Sequence, residues 1–358
     1  MIRVLALSRY SRRGPSSRLR FIDYVPWLRE AGISIELEPF FDDAYLAHLY
    51  GTGRRRFGDV QRAYRRRLAR LIAGSDYDLL WIEKEALPWL PAWIEQLLLR
   101  RPFVLDYDDA WFERYAGHNN PVVRAVLGGK LERLARHARA VVAGNEYLAR
   151  WATAAGARHV AMIPTCVDPA RYAIPAPQHA AGAFTIGWVG SPSSAPYLTE
   201  IAPALEMLTR DTQVTVRLVG AGETALPGIR AEHRPWSEES EIAEIASFDV
   251  GIMPLPDTPW TRGKCGFKLI QYLAAGRPAI ASPVGANRGI VQHGSTGYLA
   301  DSLDDWIKYL LRLRGDPTLR RQLGGAGRRS IEERFSLVKA VPELIRTFHA
   351  ALTPGHSG

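Results

Sequence analysis

Cysteines and long apolar runs are both scarce in this chain of 358 residues. Its two cysteines, Cys166 and Cys265, are too few for a disulfide framework, and their separation does not match metal-ligand spacing. No apolar run approaches the roughly 18 residues that a membrane span needs. The first residues, MIRVLALSRYSRR, are typical of a strand followed by charge rather than of a signal peptide. We therefore expect a soluble, cytoplasmic protein.

Several well-known catalytic patterns are missing too. The sequence contains no Ser-His-Asp order, no CxxC, no HExxH and no GxxxxGK followed by Ser or Thr. Hydrolase, zinc and P-loop functions therefore lack support. The composition, with 47% hydrophobic and 23% charged residues, is that of an ordinary globular protein. The length predicts about two domains.

Positive charge is in excess, with a net charge of +9 and much of it in one segment. That segment contains Arg54, Arg55, Arg56, Arg62, Arg65, Arg66, Arg67 and Arg70. Apolar residues from Phe57 to Leu71 recur at helical spacing, which predicts an amphipathic helix at 57–73 with a basic outer face. Such a face can simply be solvated, or it can contact an anionic membrane or a lipid-linked acceptor. Nucleic acid is disfavoured because aromatic residues are not interleaved with the arginines.

Short apolar runs alternate with helical patterns along the chain, which predicts parallel sheets covered by helices. Strands are predicted at 2–7, 33–38, 77–83, 101–107, 140–144 and 159–164, and then at 184–190, 213–220, 229–236, 248–255, 278–284 and 296–300. The predicted fold is α/β, with two Rossmann-like, doubly wound domains that face a cleft. Their limits are 1–166 and 184–336, joined by a linker at 167–183. Helices follow Asp301, with breaks at 315–317 and 324–327, and the last apolar helix, within 337–358, is expected to cross back to the first domain.

In the first domain, acidic residues follow the strand at 101–107. Asp108 and Asp109 come at the end of this strand, and His118 lies further on. Ligands of such sheets bind at the carboxyl ends of the strands, so these three residues are candidate catalytic groups. The alternatives are a helix N-cap for Asp109 and a surface position for His118.

Charged residues also follow two other strands of the first domain. Arg18 comes after the first strand, where it is suited to an acidic acceptor or a phosphate. Lys84 and Glu85 close the third strand and would line the acceptor side, unless they form an exposed turn of mixed charge.

In the second domain, the segment RGKCGFKLIQYLAAGRP reads as a basic, glycine-spaced loop that enters a helix. Lys264, Gly266, Phe267, Lys268 and Gln271 fall where such a sheet presents a loop and a helix start to a ligand. Lysine charge and free backbone N–H groups together suit a phosphate, which suggests a ligand of the nucleotide type. The alternative is that both lysines merely occupy the surface of a helix start.

Residues 268–300, KLIQYLAAGRPAIASPVGANRGIVQHGSTGYLA, resemble the carboxyl-terminal domain of glycosyltransferase family 4, the retaining enzymes of GT-B architecture. The first half is similar to a bacterial branch of these enzymes. The similarity lies in PSSRLRF (15–21), YDLLWIEKE (77–85), LDYDDAWF (105–112) and VVAGNEYLARWA (141–152).

The resemblance implies a nucleotide-sugar-dependent hexosyltransferase. The donor would bind the second domain, and a glycan, lipid-linked or small-molecule acceptor would bind the first. The pyrophosphate would meet the loop after strand 184–190 together with Lys264, Gly266 and Lys268. In that loop the contacts would come from Gly190, Ser191, Ser193 and Ser194.

The chain departs from the family at two places. No Arg or Lys follows between Gly190 and Arg210, and Gly263 and Gln271 stand where the family has two glutamates. Lys264 and Lys268 would then supply the positive charge, and Gln271 would meet the ribose. Because no Asp-x-Asp lies in the second domain, we predict metal-independent transfer without a cofactor. The rival functions are a GT-B epimerase or hydrolase of sugar nucleotides, and a non-catalytic protein that binds a sugar nucleotide or an anionic surface.

Overall fold

The computed structural model describes residues 1–73, 76–173, 182–222 and 226–353. The chain divides into two units, one formed by Met1–Thr165 with Ala340–Gly358 and the other by Cys166–Lys339. Of the predicted linker, residues 167–173 belong to the second unit, and residues 174–181 lie outside the described part of the chain.

The first unit contains a parallel sheet of six strands. They are β1 (Arg3–Tyr10), β2 (Ser34–Phe41), β3 (Leu79–Glu83), β4 (Phe103–Tyr107), β5 (Ala140–Ala143) and β6 (Val160–Met162). Their order is β2-β1-β3-β4-β5-β6, so the carboxyl ends of β1, β3 and β4 are neighbours at one edge. β3 and β4 are buried along their whole length, as expected for central strands covered on both faces.

The second unit repeats this plan with six further strands. They are β7 (Phe184–Val189), β8 (Val214–Val219), β9 (Ala231–Arg234), β10 (Val250–Met253), β11 (Ala279–Ala281) and β12 (Gly297–Leu299). Their order is β12-β11-β10-β7-β8-β9, again with parallel pairing. Each of these twelve strands overlaps a predicted one. The predicted α/β fold with two doubly wound sheets is therefore confirmed.

Helices cover both sheets. In the first unit they are α1 (Pro15–Arg20), α2 (Val25–Glu30), α3 (Asp43–Thr52), α4 (Phe57–Ile72), α5 (Ala92–Leu98), α6 (Trp111–Ala116), α7 (Pro121–Leu127), α8 (Lys130–His137) and α9 (Glu146–Ala154). The second unit has α10 (Ala202–Thr209), α11 (Glu238–Ala246), α12 (Pro259–Arg262), α13 (Phe267–Ala274), α14 (Asn287–Ile290), α15 (Leu303–Gly315) and α16 (Pro317–Arg334). The last helix is α17 (Leu337–Leu352). No helix within the described residues is long and apolar enough to cross a membrane.

The prediction of a helix break at 324–327 was wrong, because α16 runs through its glycines. A Cβ on Gly324 would lie 2.0 Å from the carbonyl oxygen of Gly276, and one on Gly327 would lie 2.6 Å from the Leu273 side chain. The glycines therefore let α16 approach α13 and the turn after it closely. Close helix packing, rather than a loop, explains this glycine-rich stretch.

The predicted basic outer face of α4 needs a correction. Arg67 is 1% exposed and points inward with Ala63 and Leu71, where it donates hydrogen bonds to the carbonyl oxygens of Ala86, Ser8 and Glu38. Phe57, predicted to face inward, is 74% exposed. Periodicity alone misses this arrangement because main-chain carbonyl oxygens inside the unit accept hydrogen bonds from the two terminal nitrogens of the buried guanidinium.

The helix α17 begins in the second unit and continues into the first. Its apolar side chains Leu344 and Phe348 are buried, and the Phe348 ring lies edge-on to Trp81 of β3, with 5.4 Å between ring centroids. Residues 354–358, included in the predicted helix, lie outside the described part of the chain.

Candidate functional site

In the second unit, the loop after β7 lies against the first turn of α13. The Nζ atom of Lys268 is 3.4 Å from the hydroxyl oxygen of Ser194, and it lies over the Trp188 ring at 5.1 Å. Lys268 and Ser194 are 74 residues apart in sequence. The fold thus joins the two segments that the sequence assigned to a phosphate.

Gly190 makes this approach possible. A Cβ at this position would lie 2.7 Å from the Trp188 ring and 2.8 Å from Cε of Lys268. No real Cβ tolerates such distances, so any larger residue would displace the lysine or the indole. The absence of a side chain at position 190 is therefore a requirement for the position of Lys268.

Gly266 starts α13 in a conformation that other residues avoid. Its φ is +66°, and a Cβ there would lie 2.3 Å from Cδ1 of Ile290. The left-handed turn allows the helix to begin at Phe267, so the first backbone N–H groups of α13 have no partner within the helix. These N–H groups and Lys268 together form a local concentration of positive charge.

The hydroxyl groups of the loop after β7 are arranged by one another. Ser191 and Ser193 share a hydrogen bond of 2.9 Å between their Oγ atoms, and Ser194 donates to the carbonyl oxygen of Ser191 at 3.0 Å. Ser193 is exposed and Ser191 is half-buried, so the Ser193 hydroxyl is the more accessible of the two to a ligand. We define the donor corner as Gly190, Ser191, Ser193, Ser194, Gly266 and Lys268.

Lys264 and Gln271, also predicted for this site, have different surroundings. Lys264 is half-buried, with its Nζ over the rings of Trp260 at 5.6 Å and Tyr197 at 5.9 Å. Gln271 is 1% exposed, and its amide nitrogen donates to the hydroxyl of Tyr172 at 3.3 Å. The predicted contact of Gln271 with a ribose stays a prediction, and its carbonyl oxygen is the atom that it would use.

In the first unit, the carboxyl ends of β3 and β4 bring Lys84 and two aspartates together. The Nζ atom of Lys84 lies 2.8 Å from Asp108, 3.5 Å from Glu83 and 3.9 Å from Asp109. Lys84 is 3% exposed. The alternative that Lys84 belongs to an exposed turn is therefore wrong, and so is a helix N-cap for Asp109, since the N-cap of α6 is Ala110.

The opposite charges in this cluster shift the pKa values of Lys84 and Asp108 so that both groups stay ionised. Burial alone would lower the pKa of Lys84, but Asp108, Glu83 and Asp109 outweigh it and raise the pKa. Burial would raise the pKa of Asp108, and Lys84 overrides it so that the pKa is lowered. Both groups therefore stay charged at neutral pH. Asp108 is suited to accept hydrogen bonds and not to donate a proton.

The backbone of Lys84 is strained. Its φ is +64°, and within the described residues only Trp89 shares a positive φ among the residues other than glycine. This conformation costs of the order of 1–3 kcal/mol and persists where the surroundings impose it, commonly at functional sites. It aims the buried ammonium group at the two aspartates.

Glu85 belongs to a second, fully buried cluster. It accepts hydrogen bonds from Trp111, Tyr115 and Lys130, the last at 2.6 Å, and it forms an ion pair with Arg9 at 3.3 Å. Although burial opposes it, Lys130 and Arg9 lower the pKa of Glu85. Being enclosed by protein groups, Glu85 positions its neighbours more readily than it contacts an acceptor, which does not favour the predicted acceptor-side role.

The remaining predicted residues are placed differently again. Arg18 is 2% exposed in α1, so it is not open to solvent. The His118 ring is edge-on to Trp89 at 5.6 Å between centroids, and its Nδ1 accepts from the backbone of Asn120 at 3.1 Å. The described contacts of the His118 ring are therefore with Trp89 and Asn120, and they differ from those of Lys84, Asp108 and Asp109.

Sequence reasoning missed Lys130, Glu95 and the pair of Arg20 with Asp106. Lys130 lies 2.6 Å from both Glu85 and Glu95, and Arg20 lies 2.8 Å from Asp106. Lys130 and Glu85 are 45 residues apart in sequence, and Arg20 and Asp106 are 86 residues apart. No local pattern therefore connects these partners. Among the described residues, no three His, Cys, Asp or Glu side chains come together as a metal site would require.

Comparisons with known proteins agree with this architecture. A family model described as "Glycosyl transferase 4-like domain" matches residues 4–166, and one described as "Glycosyl transferases group 1" matches residues 183–316. N-acetyl-alpha-D-glucosaminyl L-malate synthase from Bacillus anthracis is 30% identical over 123 residues. This match spans 34% of the chain and only 31% of that relative's length.

Solved structures resemble nearly the whole chain. HepE from Anabaena, in complex with UDP and glucose, has a TM-score of 0.72 at 17% identity and covers 98% of this chain and 100% of its own. Sucrose-phosphate synthase from Thermosynechococcus elongatus has a TM-score of 0.65 at 16% identity, with 98% of each chain covered. At these identities the likeness shows the fold, which is that of the GT-B glycosyltransferases.

The chain belongs to glycosyltransferase family 4, since the two family models together account for most of its length. The predictions of the family, the GT-B fold and the class of glycosyltransferases are thereby confirmed.

Proposed function

We propose that this chain transfers a hexosyl unit from a nucleotide-diphosphate sugar to an acceptor hydroxyl, with retention of configuration. The observation that carries the proposal is the contact between Lys268 and Ser194 beside Gly190, which gathers a cation, hydroxyls and a helix start in one corner. Such a corner suits a diphosphate because side-chain charge and helix dipole add.

The donor corner supplies what the chemistry needs most. Cleavage of the bond between sugar and diphosphate builds negative charge on the leaving group and positive charge on the sugar carbon. Lys268 and the first N–H groups of α13 offset the charge on the diphosphate, and Lys264 adds a second cation from the preceding turn. These groups support metal-independent transfer without a cofactor.

The first unit would bind the acceptor through the cluster of Lys84, Asp108 and Asp109. Ionised carboxylates at the end of β4 accept hydrogen bonds from sugar hydroxyls, and Asp109 has the more exposed side chain of the two, at 23% against 12%. We propose a hydroxyl-bearing acceptor, a glycan, a lipid-linked sugar or a small molecule, held by Asp109 and oriented by Lys84.

A peripheral contact with an anionic membrane belongs to the same proposal. Arg54, Arg55 and Arg56 are exposed beside Phe57, which is 74% exposed at the start of α4. Arginines next to a protruding aromatic ring suit an interface of lipid headgroups.

We expect the triple variant Arg54→Gln/Arg55→Gln/Arg56→Gln to lose sedimentation with phosphatidylglycerol vesicles. The control variant Arg210→Gln/Arg312→Gln/Arg329→Gln, which loses the same charge, should retain it. Equal binding by both variants would refute this contact.

A thermal-shift panel of UDP-, GDP-, ADP- and dTDP-sugars tests the donor proposal. HepE was crystallised with UDP and glucose, so UDP-glucose is the first member of the panel. A sugar nucleotide present at 100 times its Kd should stabilise the protein by about 2.7 kcal/mol. The absence of a shift with every member would refute the proposed function. A shift and turnover without an acceptor would favour the epimerase or hydrolase.

A further inference from the structure

Four arginines line a cavity at the far edge of the second sheet from the donor corner. The cavity has a volume of about 350 Å³, and its arginines are Arg277, Arg314, Arg320 and Arg321. It lies where β7, β10 and β11 begin, next to Ala183, Asp249 and Pro278. The donor corner follows the carboxyl end of β7. The two sites therefore occupy opposite ends of the same parallel strands.

The glycines of α16 and of the turn after α13 build this cavity. Gly324 allows α16 to approach the carbonyl oxygen of Gly276, which directly precedes Arg277. Arg320 is one helical turn before Gly324, so the same close contact brings Arg320 to the cavity. Gly276 itself has a φ of +67°, which reverses the chain direction after α13. Arg277 then lies in the cavity lining, shortly before β11.

Acidic side chains do not balance these arginines. Among the described residues that line the cavity, Asp249 is the only acid, and its carboxylate accepts from the backbone N–H of Thr185 at 2.8 Å and pairs with Arg320 at 3.3 Å. Arg314 pairs with Asp211, outside the lining. Two arginines therefore remain in excess.

The contacts of those two are with uncharged groups. Arg277 donates to the carbonyl oxygens of Ala275 at 3.3 Å and Phe248 at 3.4 Å. Arg321 donates to the hydroxyl of Thr318 at 3.1 Å. Burial, with Arg320 nearby, lowers the pKa of Arg277 in spite of Asp249. A guanidinium held among other cations by carbonyl oxygens alone is available to a bidentate anion.

We propose that this cavity binds a small phosphorylated metabolite, at a site separate from the donor corner. The volume is near the lower end for ligand sites, about 300–1,000 Å³, and suits a ligand smaller than a nucleotide sugar. Arg277 and Arg321 would grip the phosphoryl oxygens, and Arg320, already paired, would fix the wall behind them. The start of α16 is capped by the Asp316 carboxylate, which accepts from the backbone N–H of Leu319 at 2.9 Å, so the arginines supply the positive charge of this site.

Isothermal titration of the full-length protein with inorganic pyrophosphate tests this proposal, with a saturating nucleotide sugar from the thermal-shift panel occupying the donor corner. Where no nucleotide sugar binds, Lys268→Ala serves as the background instead, so a failure of the proposed function does not affect this test. We expect one site whose Kd rises at least about tenfold in Arg321→Gln and further in Arg277→Gln/Arg321→Gln, because each substitution removes charge-assisted hydrogen bonds.

Arg210→Gln is the matched control, because Arg210 is an exposed arginine of the same unit, paired with Glu206 at 3.4 Å. Its affinity for pyrophosphate should equal that of the wild type. Arg321 is exposed and holds only a surface contact, so the single variant remains informative if the double variant fails to fold. The proposal is overturned by unchanged affinity in Arg321→Gln, by no pyrophosphate binding, or by equal binding of sulfate at the same ionic strength.

Discussion

At the residue scale, Lys84 stands out as a lysine held inside the protein by acids. Its side chain is 4% exposed and has Asp108 at 2.8 Å. A charge buried to this degree is stable only when its partners stay in place, and their removal leaves the remaining charge desolvated. The strained backbone of Lys84 adds to the cost of maintaining this arrangement. The site therefore has a structural cost that an acceptor-binding role would explain.

Lys84→Met should lower the free energy of unfolding by about 3–5 kcal/mol, because Asp108 is left buried without its cation. Adding Asp108→Asn in the same chain should recover part of this loss. Urea unfolding of the two single variants and the double variant measures the coupling. Strictly additive effects would contradict the proposed pairing.

Asp106 gives the structure a specific pH dependence. Burial, only partly offset by Arg20, raises the pKa of Asp106 from 3.8 to about 6. Because the folded pKa is the higher one, the stability linked to this group is present below pH 3.8 and is lost as the pH rises through about 6. The wild type should therefore lose roughly 2 kcal/mol relative to Asp106→Asn between pH 4 and pH 7.

Urea unfolding of the wild type and Asp106→Asn at several values of pH measures this difference. Arg20 remains present in both proteins, so its loss of a partner adds an offset that does not depend on pH. A stability difference that stays constant with pH would mean that Asp106 has an ordinary pKa in the folded protein.

At this scale the sequence predicts where charged residues lie in the fold better than it predicts which residues they pair with. Lys84, Asp108 and Asp109 were assigned to one region because parallel strands end at one edge of a sheet. Glu85 was assigned to the acceptor side, but its enclosure by Lys130 and Trp111 depends on α6 and α8, whose packing no local pattern specifies. Ion pairs between residues far apart in sequence become visible only when the helices are placed.

At the scale of elements, glycines decide how α13 meets its neighbours. Gly190 and Gly266 shape its first turn, and Gly324 and Gly327 let α16 pack against it. The helix thus connects the donor corner with the arginine-lined cavity. The glycines at 324–327 predict a helix break because glycine disfavours helices, whereas tertiary packing overrides that local preference here.

Two adjacent glycines of α16 should respond oppositely to alanine. Gly324→Ala should destabilise the protein by about 1–3 kcal/mol, because the new Cβ would meet the backbone oxygen of Gly276 at 2.0 Å. Gly325→Ala meets only Nη1 of Arg329, at 3.8 Å, and should be neutral or stabilising by up to about 1 kcal/mol. Thermal unfolding of both variants provides the comparison. Similar effects in both would mean that α16 does not pack closely at Gly324.

At the scale of the whole molecule, the sequence was sufficient for the fold. Two series of buried strands with intervening helices specify two doubly wound sheets, and all twelve described strands overlap the predicted ones. The buried Arg67 and the four-arginine cavity were not predicted. Both depend on carbonyl oxygens and helix ends that come together only in three dimensions.

Because the chain departs from the family pattern, Lys268 becomes more important for binding the donor than its counterpart in the family would be. With Gly263 and Gln271 in place of the two glutamates, and no Arg or Lys between Gly190 and Arg210, Lys268 is the cation in contact with the loop after β7. The central claim is that this lysine binds the diphosphate of the donor.

Calorimetric titration of Lys268→Ala with the nucleotide sugar that stabilises the wild type tests this claim most directly. Lys308→Ala, which removes an exposed lysine of the same unit, is the matched control. We predict a Kd about 10–100 times higher for Lys268→Ala, as expected from the loss of a charge-assisted contact, and an unchanged Kd for Lys308→Ala. Equal Kd values for Lys268→Ala and the wild type would contradict the account.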